Sequence, residues 1–309
     1  MSLLAVGSVA LDTIETPFGE AIDAIGGSAT FFSAAASFFS PVQLVGVVGE
    51  DFPRHELGFL ERRGVDLGAL ETRPGQSFRW SGVYSFDLNS RETRDTQLGV
   101  FADFAPRIPP ALRDARWIFL GNIDPVLQLD VLDQVEKPEL VACDTMNYWI
   151  EGRRPELERL LSRIDLLLIN DGEARELSGE VNVLKAARWI QARGPRMVVV
   201  KKGEHGAILF TEDVIFFAPG FPLEEVFDPT GAGDAFAGGF VGYLARAGRL
   251  DTDDLRRAVV YGSTLGSFAV EQFGVRRLIE LTPGEIDARV GRFRELTAFE
   301  QPVAIGTGP

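Results

Sequence analysis

Four short runs between residues 117 and 201 limit the fold more than any other feature. They are Trp117-Ile-Phe-Leu-Gly121, Leu140-Val-Ala-Cys-Asp144, Leu166-Leu-Leu-Ile-Asn170 and Met197-Val-Val-Val-Lys201. Each is too short for a stable helix and has no polar face, which is the mark of a strand buried on both sides. Segments near 125–134, 155–163 and 182–193 separate them and carry helical spacing. Alternation of this kind predicts a mostly parallel sheet between two helical layers, an α/β three-layer sandwich. Residues 3–10 and 41–48 add two more apolar strands, and 206–210 with 214–217 reads as a hairpin. Ligands of such sheets bind beyond the C-terminal strand ends. Asp12, expected just past the first strand, is therefore either a ligand contact or a turn residue.

Gly26-Gly27 precedes an apolar segment, 28–39, in which Phe31, Ala35 and Phe38 recur at helical spacing. It reads as a buried helix with a bare backbone at its start. Residues 253–271 and 283–297 predict two further helices. Residues 76–104 differ: Ser77–Phe86 alternates like a half-exposed strand, 87–91 is polar and turn-rich, and 96–101 reads as extended. Together with 13–25 they predict a small sheet outside the main body. The Gly- and Pro-containing tail, 302–309, is expected to be loosely held.

Residues 228–239 read Asp-Pro-Thr-Gly-Ala-Gly-Asp-Ala-Phe-Ala-Gly-Gly and open a helix of small residues. Gly231, Ala232 and Gly233 would offer backbone N–H groups at the helix end where the macrodipole favours an anion. Asp234 stands within the first turn. A carboxylate beside an anion site is either ordinary capping or the group that takes a hydroxyl proton in phosphoryl transfer. No Gly-x-x-x-x-Gly-Lys-Ser/Thr loop occurs, and Phe236 stands where a dinucleotide fingerprint needs its third glycine.

The stretch 228–239 closely resembles the C-terminal motif of the ribokinase-like, or PfkB, carbohydrate kinases. Gly26-Gly27 with Leu44-Val-Gly-Val-Val-Gly-Glu-Asp51 resembles their N-terminal motif. The resemblance runs from Gly7 to Gly274 and implies one ribokinase-like kinase domain over 1–309, with 13–25 and 76–104 as a lid over the substrate. It implies ATP-dependent phosphorylation of a hydroxyl on a sugar-like small molecule, with Asp234 as base and Gly231–Gly233 as anion hole. Asp12, Gly26, Gly27, Phe31 and Asn147, the last from Asp144-Thr-Met-Asn147, fall at substrate positions. Lys201, Gly203, Gly206 and Ser263 fall beside the nucleotide. Asn170 and Glu173 match an Asn-x-x-Glu motif that holds hydrated Mg²⁺, although an N-cap with an acid in the first turn explains the same spacing. Lys201 serves equally as a phosphate contact or a solvated strand end, and His205 as a turn residue. Residues 269–274 match a segment linked to a monovalent cation, and lids of this kind also pair between subunits, which predicts a homodimer. The chain departs from the pattern at Phe31, where many sugar kinases of the family carry an asparagine. That favours a nucleoside, a cyclitol or a less polar sugar face. A nucleoside or cyclitol kinase, or a non-catalytic sensor of nucleotide or sugar, are the competing readings.

Composition removes several classes. The net charge of −14 over 309 residues argues against sequence-independent nucleic-acid binding, which needs a basic face. One cysteine and two histidines leave no disulfide framework and no His/Cys zinc site. Cys143 reads as a small buried hydrophobe. The absence of a signal peptide or a membrane-length apolar run predicts a cytoplasmic protein.

Overall fold

The computed structural model describes residues 3–298. The strands are β1 (Leu3–Val6), β2 (Ala10–Thr16), β3 (Gly19–Gly26), β4 (Val42–Gly49), β5 (Val65–Asp66), β6 (Leu70–Arg73) and β7 (Phe78–Tyr84). They continue with β8 (Arg91–Gln97), β9 (Trp117–Leu120), β10 (Leu140–Asp144), β11 (Leu166–Asn170), β12 (Met197–Lys201), β13 (Ala207–Phe210) and β14 (Ile215–Ala218). Ten form the central sheet in the order β14-β13-β12-β11-β10-β9-β1-β4-β5, with β6 also on β4. The pairings from β12 to β4 are parallel, and only β13 and β14 run antiparallel. The four expected apolar runs are β9 to β12, side by side.

Alternate residues of each strand feed opposite layers. Leu166, Leu168 and Val199 join the core beneath the Ser28–Ala36, Ala232–Ala247 and Thr252–Ala269 helices. Leu167, Ile169, Val198 and Val200 join the core beneath the Pro125–Leu132, Arg154–Leu161, Asp171–Ser178 and Val183–Gln191 helices. Every residue of Ser28–Ala36 is buried. Its Phe32 stacks on Phe119 of β9, with centroids 3.8 Å apart. The small residues of Ala232–Ala247 let it lie against that helix, since a Cβ on Gly238 would stand 2.3 Å from the Phe32 carbonyl oxygen.

The second sheet has the order β3-β2-β7-β8 and contains residues from both segments expected to form it. Three expectations need correction. The first strand stops at Val6, so Asp12 lies not past its end but inside β2 of the small sheet. The chain breaks at Gly7-Ser8, where the Ser8 hydroxyl and carbonyl tie to the start of the Ser28–Ala36 helix. The extended run ends at Gln97, and Gly99–Asp103 coils into a 3-10 turn whose Val100 amide binds the Gln76 carbonyl at 2.8 Å. The short strands β5 and β6 and the helices Asn147–Gly152, Asp171–Ser178 and Arg276–Glu280 lacked a periodic signal. The tail 302–309 lies outside the described residues. No helix among the described residues is long and apolar enough to cross a membrane.

Candidate active site

Parallel strands β10, β11 and β12 end together, so Asp144, Asn170 and Lys201 meet at one edge. Lys201 Nζ donates to Asp144 Oδ2 at 2.6 Å, with side chains only 16% and 6% exposed. Lys201 is therefore not a solvated strand end. Burial alone would lower its pKa, but Asp144 and Glu173 outweigh that and raise it. Its ammonium stands 2.9 Å from where a Cβ on Gly233 would lie, which puts it at the start of the Ala232–Ala247 helix.

The loop feeding that helix is held from below. Asp228, fully buried, accepts the Thr230 and Gly274 amides at 2.8 Å each. The Phe227 and Asp228 amides donate to the Val270 carbonyl. Segment 269–274 is thereby stapled to the motif. Gly231 caps the helix at φ 75°, and a Cβ there would fall 2.3 Å from the Phe31 ring. Both facts demand glycine. Phe31, expected at the substrate, is 1% exposed and packs under this cap rather than presenting an open face. The Ala232 amide donates to the Pro229 carbonyl at 3.2 Å, whereas the Gly231 and Gly233 amides have no backbone acceptor among the described residues.

Asp234 is partly buried in the first helical turn. Burial and the nearby Asp144 charge raise its pKa to about 7, against the pull of Lys201 and Arg91. Asp12 rises to about 7 through burial and Asp228, although the Gly27 amide bonds it. Its Oδ2 would be 1.9 Å from a Cβ on Gly26, and a Cβ on Gly27 would strike the Ser8 carbonyl oxygen at 2.5 Å. These glycines admit Asp12 and the chain at Ser8.

Asn170 and Glu173 form a reciprocal helix cap. The Asn170 side chain accepts the Glu173 amide at 2.7 Å, and Glu173 Oε2 accepts the Asn170 amide at 3.0 Å. The cap uses one lone pair of Asn170 Oδ1 and one of the two Glu173 oxygens. Glu173 Oε1 remains available, and its position beside Lys201 and Asp144 fits a hold on a metal-bound water. No cluster of three or more His, Cys, Asp or Glu suited to a metal occurs among the described residues. Glu173 has its pKa raised to about 7, mainly by burial.

Gly203 and Gly206 bracket a tight turn in which the Lys202 amide binds the Gly206 carbonyl at 2.7 Å. His205 is exposed in that turn. Ser263 is buried with an unpartnered hydroxyl. One turn on, Gly266 lies beside Ala232, where a Cβ would be 3.2 Å from the Ala232 carbonyl oxygen. Asn147 is exposed at the start of a short helix beyond β10. Cys143 is buried, and burial raises its pKa well above the usual thiol value.

Several residues escaped sequence reasoning. The Thr230 hydroxyl donates to the Tyr84 oxygen at 3.1 Å, which ties the small sheet to the motif loop. Asn89, at the β7–β8 tip, lies 3.2 Å from where a Cβ on Gly203 would be. Arg91 lowers the pKa of Asp12, Glu173 and Asp234 alike. Thr145 buries an unpartnered hydroxyl next to Asp144. Of these, Tyr84 lay in the alternating run 77–86 and Asn89 in the polar turn 87–91, but neither pattern named its partner.

The architecture is that of the ribokinase-like kinases. An E. coli ribokinase-II structure in complex with ATP and Mg²⁺ superposes with a TM-score of 0.75 at 20% identity, over 94% of this chain and 99% of that one. The model of the pfkB family of carbohydrate kinases matches residues 127–281, and the chain belongs to that family. It is 30% identical to a cytidine kinase of Thermococcus kodakarensis, over 81% of this chain and 91% of the relative. It is 29% identical to a nucleoside kinase of Methanothermobacter thermautotrophicus, over 97% and 98%.

Proposed function

We propose that this kinase transfers the γ-phosphoryl group of ATP to a hydroxyl of a sugar-like acceptor, with Asp234 as the base. The supporting observation is the pairing of Asp234 with the open start of the Gly231-capped helix, beside the Lys201 ammonium. The acceptor hydroxyl gives its proton to Asp234 as its oxygen bonds to phosphorus and the bond to ADP breaks. The Gly231 and Gly233 amides, with Ala232 once it leaves Pro229, face the charge on the transferring group. Lys201 balances that charge, and Asp144 holds it in place. Mg²⁺ bound with ATP would neutralise the triphosphate, with Glu173 Oε1 holding one of its waters. Ser263 would contact the nucleotide.

The small sheet acts as the lid. Its Tyr84–Thr230 hydrogen bond and the approach of Asn89 to Gly203 span the site, and closure keeps water from the phosphoryl group. Exposed Ile22 on this sheet and Phe18 and Phe86 in its connecting turns support a homodimer through it, which sedimentation would test. Among acceptors, a nucleoside is favoured, because the family asparagine is replaced by the buried Phe31 and two relatives carry nucleoside-kinase names.

Substituting Asp234→Asn is expected to leave ATP binding near normal and lower kcat by roughly 10²–10⁴-fold, the range for loss of a general base. Turnover within a few-fold of wild type on a verified acceptor removes Asp234 from the role.

A further inference from the structure

We infer that Trp80 is the specificity-determining wall of the acceptor pocket, where its indole stacks on the planar base of a nucleoside. The inference rests on the kinase reading above. Trp80 pairs directly with Asp12 across β2 and β7, so both side chains leave the same face of the small sheet. That face is anchored toward the site at two points. Asp12 lies against Gly26 and within electrostatic reach of Asp234. Tyr84, four residues after Trp80 and on the same face, bonds Thr230 of the motif loop at 3.1 Å. Trp80 stands level with the first anchor and two same-face positions from the second.

The local structure keeps its ring in place. The indole Nε1 donates to Thr93 Oγ1 on β8 at 3.2 Å. Gly82 leaves room for the outer ring edge, since a Cβ there would be 2.3 Å from Trp80 Cη2 and Cζ2. Yet the ring is not used as core: it is only half-buried, and its cation–π partner is the exposed Arg91 guanidinium at 5.6 Å. A large, oriented, apolar plane beside a carboxylate suits an acceptor that is hydroxylated at one end and flat and uncharged at the other. A free sugar offers the plane only its C–H face, a smaller apolar area than a base. A phosphorylated sugar would bring its charge among Asp12, Glu173 and Asp234, with Arg91 and the Asp144-paired Lys201 as the offsetting cations. A nucleoside offers ribose hydroxyls to Asp12 and Asp234 and a base to Trp80.

The test uses the full chain with ATP and Mg²⁺ and compares cytidine, uridine, adenosine and ribose as acceptors. Trp80→Ala and Trp80→Leu are expected to raise the nucleoside KM roughly 10–100-fold, the loss that base–aromatic stacking implies. The ATP KM and any turnover of ribose stay within about threefold by the same argument, because neither involves the base. Trp80→Phe, which keeps a ring, returns the nucleoside KM to within several-fold. Nucleoside binding quenches tryptophan emission in the wild type, and Trp80→Phe loses that part of the signal. An unchanged nucleoside KM in folded Trp80→Ala overturns the inference, as does an equal rise for ribose. Wild-type turnover of ribose with no turnover of any nucleoside also overturns it while leaving the kinase reading intact. Full activity of Asp234→Asn breaks the base assignment without touching the Trp80 result.

Discussion

Four of the five residues of β11 are buried and feed cores on both faces of the central sheet, whereas all seven residues of β8 in the small sheet are exposed. The two strands sit on opposite sides of one site and are held by different forces. β11 is fixed by area removed from water, roughly 25 cal/mol per Å² of apolar surface. β8 is fixed by its ladder with β7 and by a few polar ties, and a typical net hydrogen bond contributes only about 1 kcal/mol. On the proposed reading, the floor carries the groups whose geometry the chemistry cannot lose: Asp144, Lys201 and the Gly231 cap. On the same reading, the small sheet carries groups that touch the acceptor and part to let it in. Regions that move in catalysis are drawn from the low-stability end of a structure.

This contrast predicts unequal damage. The largest effect is expected from Lys201→Met, which leaves Asp144 buried without its cation. Breaking a buried pair from one side costs about 3–5 kcal/mol, so thermal stability falls sharply and turnover falls with it. Adding Asp144→Asn is expected to recover much of the stability but none of the turnover, as read by melting and by initial rates. Next comes Gly231→Ala. Its methyl group meets the Phe31 ring in a left-handed backbone, and a displaced anion-hole donor costs roughly 10²–10³ in kcat. The pH profile follows. Asp234 and Asp12 both titrate at about 7, so kcat/KM is expected to fall as pH drops below 7, where the base becomes protonated. A flat profile between pH 5.5 and 8 breaks the assignment. The smallest effect belongs to the small sheet. Tyr84→Phe removes the bond to Thr230, worth about 0.5–1.5 kcal/mol, and should raise the acceptor KM a few-fold with little change in melting or in the ATP KM. A collapse in stability there, or indifference at Lys201, erases the contrast between floor and lid.

The same contrast explains what was legible in the sequence. Strands β9 to β12 were readable because a run such as Met197-Val-Val-Val has no polar face to place elsewhere. Strand β8, Arg-Glu-Thr-Arg-Asp-Thr-Gln, has no apolar face at all, and only pairing with β7 makes it a strand. Within the Gly231–Asp234 stretch, Gly231 announced itself because its left-handed turn demands glycine. The Asn170–Glu173 spacing supported two readings, and the folded helix displays the cap. Asp144 and Lys201 are 57 positions apart, and Tyr84 and Thr230 are 146 apart. No local pattern encodes such pairs, because strand order brings them together. Asp12 was misplaced for a related reason: Leu3 to Ala10 is apolar throughout except at Ser8, and the break at Gly7-Ser8 is set by contact with the Ser28–Ala36 helix.

If Asp234 is kept for chemistry, it should work against the fold that holds it. Its pKa is raised from 3.8 to about 7, so the native state favours the protonated form. Stability from this group is therefore full below about pH 3.8 and is lost as pH rises through 7. The direct measurement is kcat and melting temperature of Asp234→Asn beside wild type, at pH 5.5 and pH 8. Turnover of a verified acceptor at pH 8 should fall at least roughly 100-fold. The variant should melt higher than wild type at pH 8, with a smaller gain at pH 5.5. Turnover that survives the substitution, or a variant that melts lower at pH 8, contradicts the account.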